Sequence, residues 1–280
     1  MNPLLAALVQ MGIVSPADAE RMTRQLDPAA QRTYAEEQLS AAFARGLNGQ
    51  QSRLIELLRK ADGRPTNRQV DDFWTQEDDL LWRTVQPTMQ ALATEAAVSA
   101  AIRQGDNTWN LVNEDVMSWI ERYYTSPSPA FVGSVPNLNQ TARQQFADAL
   151  TGWQRGTLTD IGFNDGLPQL IRALEPIFGE ARAKIVGTTE VTRVYAETEV
   201  QAARVDEFIE YLQAFSAEDE KVCETCGPVS GQIIRKDATG FDHPTEGNIG
   251  FPPYHPACRC WVSPAESSET IASLARETSS

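Results

Sequence analysis

Residues 222–232, VCETCGPVSGQ, and residues 250–261, GFPPYHPACRCW, decide the fold of the C-terminal part of this chain. Together with the loop between them they contain all four cysteines and both histidines of the 280 residues. Cys223 and Cys226 are spaced C-x-x-C, so one tight turn can aim both sulfurs at the same point. Prolines in the second segment reduce the entropy lost in fixing a ligand loop. The pattern favours a structural zinc site.

Five side chains are candidate ligands, whereas tetrahedral zinc takes four. His255 and Cys258 have the same spacing as the first cysteine pair, so the predicted ligands are Cys223, Cys226, His255 and Cys258. Cys260 is expected to point to the opposite face from Cys258, so it is the reserve candidate that could replace one of these four. The main alternative is a site formed by all four cysteines. Four protein ligands leave no open position for water or substrate, which favours a structural ion over a catalytic one.

Two other interpretations of the cysteines stay open. The first is a set of unligated thiols or of disulfides, which would join Cys223 to Cys226 and Cys258 to Cys260. The second is a thioredoxin-like redox pair, although the βαβ surroundings typical of that pair are absent from the sequence. Zinc remains the favoured interpretation because all the candidate ligands are concentrated in one block.

The enzymatic alternative is a zinc-stabilised, HNH-like, metal-dependent nuclease. It would use His243 with Asp242 or Asn248, which lie in a Gly- and Pro-rich loop between the two cysteine segments. Because the sequence contains no Walker A loop, nucleophile elbow or dinucleotide fingerprint, we expect the protein not to be an enzyme.

Composition restricts the class of protein and its partners. A hydrophobic share of 41%, with six Trp and ten Phe, predicts a packed and mostly helical protein rather than a disordered one. No apolar run reaches the length of a membrane span, so we expect a soluble protein kept in a reducing cytoplasm. The formal net charge of −14 repels phosphate backbones, so charge favours protein partners and does not predict contact with DNA.

Apolar residues recur at helical spacing through residues 1–124, which predicts a helical N-terminal domain. Start signals for helices lie at Ser15-Pro16 and Asp27-Pro28. Gly63 ends one helix, and a long helix follows that contains Pro87 and closes at Gly105.

A Pro- and Ser-rich stretch at 125–140 predicts a linker between domains. Thr141 and Gln144 form a capping-box pattern that predicts the start of the next helix. In a later helix, at 180–205, Ile185 is expected to face the core and Glu190 the solvent.

The second domain is predicted at 141–264, with the zinc module at 217–264 and a polar tail at 265–280. Residues 208–216, FIEYLQAFS, fit either a strand or a helix, whereas GQIIRKDATG, at 231–240, predicts a short strand. The fold class is therefore mainly α, with a helical bundle in the N-terminal half and a small α+β zinc-binding module at the C-terminal end.

The order of three motifs resembles the phage head morphogenesis family, the Mu protein F-like or SPP1 gp7-like minor head proteins. In that family a Thr-Glu helix precedes a pattern close to C-x-x-C…G…P-P-x-H-P-x-C-R-C. The matching residues here are Thr189, Glu190, Thr192, Arg193, Cys223, Cys226, Gly231, Pro252, Pro253, His255, Pro256, Cys258, Arg259 and Cys260. The resemblance covers roughly residues 140 to 264. The family pattern leads us to expect a tryptophan a few residues before the cysteine pair. This chain has no tryptophan there, and Phe215 takes the apolar role.

The resemblance implies a minor capsid protein of a tailed bacteriophage, in the virion or encoded by a prophage. Such a protein is expected at the portal and the inner face of the head, with portal, major capsid or scaffolding proteins as partners. Its expected role is head assembly, with genome packaging or ejection in some relatives. Thr189, Glu190 and Arg193 would form a polar interface or support the zinc module, unless they are a solvated helix face.

Overall fold

The described part of the chain is mainly helical and ends in short strands, which confirms the predicted fold class. The computed structural model describes Ser15 and residues 28–104, 109–128, 133–157, 166–217 and 223–265. The helices are α1 Pro28–Lys60, α2 Asn67–Gln104, α3 Trp109–Thr125, α4 Val135–Gln154, α5 Leu167–Ala173, α6 Glu175–Phe178 and α7 Glu180–Val205. The strands are β1 Tyr211–Phe215, β2 Ile233–Arg235, β3 Asp242–His243, β4 Gly247–Asn248 and β5 Trp261–Pro264. Within these ranges, no helix has the length and apolar character needed to cross a membrane.

The connection between α1 and α2 has a capping signal at each end. Gly63 has a φ of +71° and donates its N–H to the carbonyl of Leu58 at 2.8 Å, which closes α1 as predicted. Thr66 and Gln69 form a capping box, because the N–H of Thr66 donates to Gln69 Oε1 at 2.8 Å and the N–H of Gln69 donates to Thr66 Oγ1 at 3.3 Å. Local side chains therefore fix where the first two helices separate.

Other predicted helix signals have mixed outcomes. Pro28 begins α1, and Pro87 lies inside α2, which continues to Gln104. The predicted partners Pro16 and Asp27 and the predicted end at Gly105 lie outside the described residues.

Helix α4 begins earlier than the capping-box pattern predicts. Its first residue is Val135, with Ser134 as the N-cap residue and a proline in the first turn. Thr141 lies inside the helix and donates its hydroxyl to the carbonyl of Asn137 at 3.0 Å. The helix start predicted at Thr141 is therefore wrong, and residues 135–140 of the predicted linker are helical. Proline is well tolerated in a first helical turn, so the proline-rich composition here marks a helix start.

One hydrophobic core is shared by the N-terminal helices and α7. It includes residues on both sides of the predicted linker, among them Leu39, Phe43, Leu54, Leu58, Leu81, Met89, Ile120, Tyr124, Phe146, Phe178, Val191 and Val194. Helices α1 and α7 cross closely at Gly187, where an added Cβ would lie 2.7 Å from the backbone nitrogen of Ser40. The predicted division at 125–140 remains a prediction, and the two sides of that division pack on a common core.

The last third of α7 packs against the small sheet. Strand β1 lies at the centre of an antiparallel sheet of order β2-β1-β5, so 208–216 contains a strand, and β2 confirms the strand predicted after the first cysteine pair. A second, smaller core joins Ala196, Val200, Ala203, Leu212, Ala214, Val229, Phe241 and Val262. On the other face of the sheet, Phe215 stacks on Trp261 with ring centroids 5.3 Å apart. Strand β5 thus anchors the chain directly after the second cysteine segment.

Candidate metal centre

The first half of the centre is a tight turn at the C-x-x-C motif. The N–H of Cys226 donates to the carbonyl of Cys223 at 3.1 Å and lies 3.4 Å from Cys223 Sγ. The N–H of Gly227 donates to the same carbonyl at 3.0 Å, and a short 3-10 helix, Gly227–Val229, follows. This turn brings both sulfurs to the same side, as the spacing predicts.

The second half of the centre is the turn from His255 to Cys258. His255 Nδ1 lies 2.8 Å from the carbonyl oxygen of Pro256, which can only accept a hydrogen bond. Nδ1 is therefore the protonated nitrogen in this contact, and Nε2 is left to face Cys226 Sγ at 3.0 Å. A hydrogen bond from one ring nitrogen to a carbonyl is the usual way to orient a metal-binding histidine.

The two halves meet, so the structure brings together all five predicted candidate ligands. The ligand atoms of Cys223, Cys226 and His255 lie within 4.8 Å of one another, and so do those of Cys226, Cys258 and Cys260. Cys226 belongs to both groups and is buried, as are Cys258 and Cys260. All four cysteines are free thiols.

The spacing of these atoms suits a tetrahedral metal ion. Zinc–sulfur bonds of about 2.3 Å place two sulfurs about 3.8 Å apart in a tetrahedron, and Cys226 Sγ lies 3.9 Å from Cys258 Sγ. Thiolate and imidazole are ligands that zinc and similar soft ions prefer. The cluster can therefore bind a divalent metal ion.

Cys260 does not point away from the other cysteines. It is buried, and its sulfur lies within the second group. The expected opposite orientation is wrong because residues two apart in extended chain line the same face. Cys260 is therefore as well placed as Cys258 to reach an ion near Cys226.

Charge in the cluster is unevenly distributed among the thiols. A hydrogen bond from the side chain of Cys260 lowers the pKa of Cys258 to about 5, whereas burial raises the pKa of Cys226 to about 12. Burial opposes protonation of His255, but its hydrogen bond to Pro256 and the nearby Cys258 charge raise its pKa. Several thiols can ionise together in this buried site when a cation supplies the opposite charge.

Two threonines of α7 form hydrogen bonds to the backbone of the second turn. Thr189 Oγ1 accepts a hydrogen bond from the N–H of Ala257 at 2.8 Å. The hydroxyl of Thr192 donates to the carbonyl of Cys258. Thr189 thus contacts the backbone of the second turn, and its role in supporting the metal module stays a prediction.

Glu190 and Arg193 face the helical bundle instead of the cysteines. The carboxylate of Glu190 accepts hydrogen bonds from the Tyr124 hydroxyl at 2.6 Å and from Arg193 Nε at 3.1 Å, and its side chain is 2% exposed. The guanidinium of Arg193 lies 5.0 Å above the ring of Tyr123. The expectation of a solvated Glu190 is wrong, because α3 supplies aromatic partners that satisfy the buried charge. Ile185, expected in the core, is 46% exposed.

The residues of the nuclease hypothesis do not converge. Asp242 and Asn248 are exposed cross-strand partners in the β3–β4 hairpin. His243 follows Asp242 in the strand and is buried, so the two side chains point to opposite faces. His243 Nδ1 lies 3.1 Å from Thr245 Oγ1. The three side chains therefore do not form a common site for a metal ion and a substrate.

Sequence reasoning missed the contribution of α1 to the site. The guanidinium of Arg32 donates to the carbonyl of Arg259 at 2.8 Å and to Thr192 Oγ1. Glu36 accepts a hydrogen bond from Arg259 Nη2 at 3.0 Å. These contacts join residues more than 150 positions apart, and no local pattern in the sequence signals them.

Comparison with known proteins agrees with the motif resemblance. Residues 164–263 match a family model described as Phage Mu protein F like protein. Searches of curated proteins and of solved structures found no match. The matched range includes α7, the sheet and all five candidate ligands. The match at residues 164–263 therefore supports a phage head morphogenesis family for this chain.

Proposed function

We propose that this protein is a minor capsid protein of a tailed bacteriophage that binds the portal at the inner face of the head. It acts in head assembly, with a further role in genome packaging or ejection. The observation that carries the proposal is the family match over 164–263, a range that contains the five-residue cluster. The protein works through its binding surfaces and not as an enzyme.

The charge of the molecule supports protein partners over DNA. A formal net charge of −14 repels packaged DNA and favours contact with basic surfaces of protein partners. Helices α1 to α4 supply long solvent-facing surfaces for such contacts. The protein therefore acts as an adaptor inside the head.

The cluster holds a structural zinc ion in this proposal. Four ligands come from Cys223, Cys226, His255, Cys258 and Cys260, and our assignment keeps the first four, with Cys260 as the alternative to one of them. When bound, zinc would cross-link the two turns and neutralise their thiolates. The chain around the cluster is rich in turns and buries little apolar surface, so this cross-link would give the docking surface a fixed shape.

Co-sedimentation tests the proposed function. Purified protein is mixed with portal rings, or with heads assembled from genes of the same phage, and separated on a density gradient. We expect the protein to move with the rings and heads, whereas an unrelated acidic protein of similar size stays at the top. Recovery of the protein at the top in both mixtures would contradict portal and head binding.

Elemental analysis tests the zinc site. Wild-type protein is expected to contain one zinc ion per chain, and Cys223→Ser and Cys260→Ser variants report which sulfurs bind it. A wild-type protein without metal would contradict the zinc proposal. A plasmid-nicking assay with magnesium or manganese tests the nuclease alternative, which predicts activity that is lost in His243→Ala.

A further inference from the structure

The backbone of the second ligand turn is held by side chains that are not ligand candidates. Ala257 has a φ of +58°, a left-handed conformation that non-glycine residues rarely adopt. Its N–H is satisfied by Thr189, and the next carbonyl, that of Cys258, is satisfied by Thr192. Because Thr189 and Thr192 are three residues apart, they lie on the same face of α7.

Arg32 connects this turn to the N-terminal half of the chain. One guanidinium nitrogen donates to the carbonyl of Arg259, which lies between two candidate ligands, and the other donates to Thr192 Oγ1. Glu36 lies 3.3 Å from Arg32 and 3.0 Å from the Arg259 guanidinium. The side chains of Arg32 and Glu36 are 18% and 11% exposed, so these contacts are largely shielded from solvent.

We propose that Thr189, Thr192 and Arg32 are positioning residues of the metal centre. They fix the peptide groups of residues 257–259, so that Cys258 and Cys260 face Cys226 before an ion arrives. The inference rests on the metal-binding part of the proposed function. A fixed turn reduces the conformational entropy lost on metal binding, so these residues raise metal affinity without touching the ion.

The same contacts couple the metal to the helical bundle. If docking of Arg32 strengthens metal binding by some factor, then metal binding strengthens docking of α1 by the same factor. The start of α1, at Arg32, would therefore respond to the occupancy of a site that lies in the C-terminal module.

A pair of threonine variants in one helix tests the inference. Thr192→Val removes the hydroxyl that reaches Cys258, whereas the matched control, Thr198→Val, removes a buried hydroxyl that donates to Val194 within α7 at 2.7 Å. Full-length, zinc-loaded protein is titrated with a chromophoric chelator to measure the zinc dissociation constant. We expect Thr192→Val to weaken zinc affinity about tenfold, Thr198→Val less than about twofold, and Thr192→Ser to restore most of the loss. The cobalt(II) absorption spectrum is expected to stay the same in all variants, because the ligands are unchanged.

The outcomes separate this inference from the proposed function. If the wild type binds zinc, and Thr192→Val and Thr198→Val bind it with equal affinity, the positioning role is overturned. The zinc site itself would remain supported. A wild type that binds no zinc would overturn both. Should Thr192→Val fail to fold, Arg32→Lys decides, because lysine cannot donate to both Arg259 and Thr192 with the same geometry. Unchanged zinc affinity in Arg32→Lys would then overturn the inference.

Discussion

The helical bundle and the C-terminal module are stabilised in different ways. The bundle buries large aromatic side chains, including a stacked pair of Trp82 and Tyr124 with centroids 5.6 Å apart. The module has a small apolar core, and three of its eight buried residues belong to helix α7: Ala196, Val200 and Ala203. Apolar burial is extensive in the bundle and small in the module, so on our proposal a bound zinc ion adds the cross-link that maintains the module.

Helix α7 is the element that both regions share. Its first part packs in the bundle core through Val191 and Val194, and its last part forms one wall of the module core. In the same stretch as Val191, Thr189 and Thr192 contact the ligand turn, while Glu190 contacts Tyr124. Substitutions in this helix can therefore affect one region or the other, depending on the face that they alter.

The largest expected effect comes from removing the central sulfur. Cys226→Ala takes away the ligand that belongs to both groups of the cluster. We expect zinc affinity to fall at least about a hundredfold and the module to lose its fixed structure, because metal binding and folding are coupled in small metal-dependent modules. Chelator titration and elemental analysis measure the loss.

The control for this prediction is Cys260→Ser, which leaves four candidate ligands in place. Its zinc affinity is expected to fall much less than that of Cys226→Ala. Equal zinc content in Cys226→Ala and wild type would contradict the central position of Cys226.

A smaller effect, confined to the bundle, is expected for Glu190→Gln. The substitution leaves the Arg193 guanidinium without its buried carboxylate and should lower the free energy of unfolding by about 3 kcal/mol. Chemical denaturation followed by tryptophan fluorescence measures it, since Trp74 and Trp82 are buried in the bundle.

Glu180→Gln, at an exposed position in the first turn of α7, is the matched control and should change stability by less than about 0.5 kcal/mol. Zinc affinity is expected to stay at the wild-type value in both variants. A loss of zinc affinity in Glu190→Gln with unchanged stability would assign Glu190 to the metal centre instead.

The smallest effect is expected for Gly187→Ala. An added Cβ would lie 2.7 Å from the Ser40 backbone nitrogen, so α1 and α7 must separate, at a cost of about 1–3 kcal/mol in the free energy of unfolding.

Gly49→Ala, within α1, is the control. Its Cβ would meet the end of the flexible Arg53 side chain at 3.1 Å, and alanine favours helix by up to about 1 kcal/mol. Denaturation is expected to show a less stable Gly187→Ala and an equally or more stable Gly49→Ala. Equal stability of the two variants would contradict the close helix crossing.

Short-range patterns in the sequence predicted the parts of the site that depend on nearby residues. The C-x-x-C turn and the end of α1 at Gly63 follow from spacing and turn chemistry. The position of Cys260 beside Cys226 and Cys258 was not predicted. The buried state of Glu190 depends on Tyr124, which is 66 positions away, and the support of the Cys258 turn depends on Arg32. Such contacts are decided by tertiary packing, so a pattern within one helix could not reveal them.

Hydrogen exchange with and without a strong zinc chelator tests whether a metal ion maintains the module while apolar burial maintains the bundle. After chelation we expect amides in 227–264 to lose protection, while amides in the buried parts of α1 and α2, at 39–58 and 81–97, keep theirs. Unchanged protection in 227–264 after complete zinc removal, or simultaneous loss of protection in both regions, would contradict this expectation.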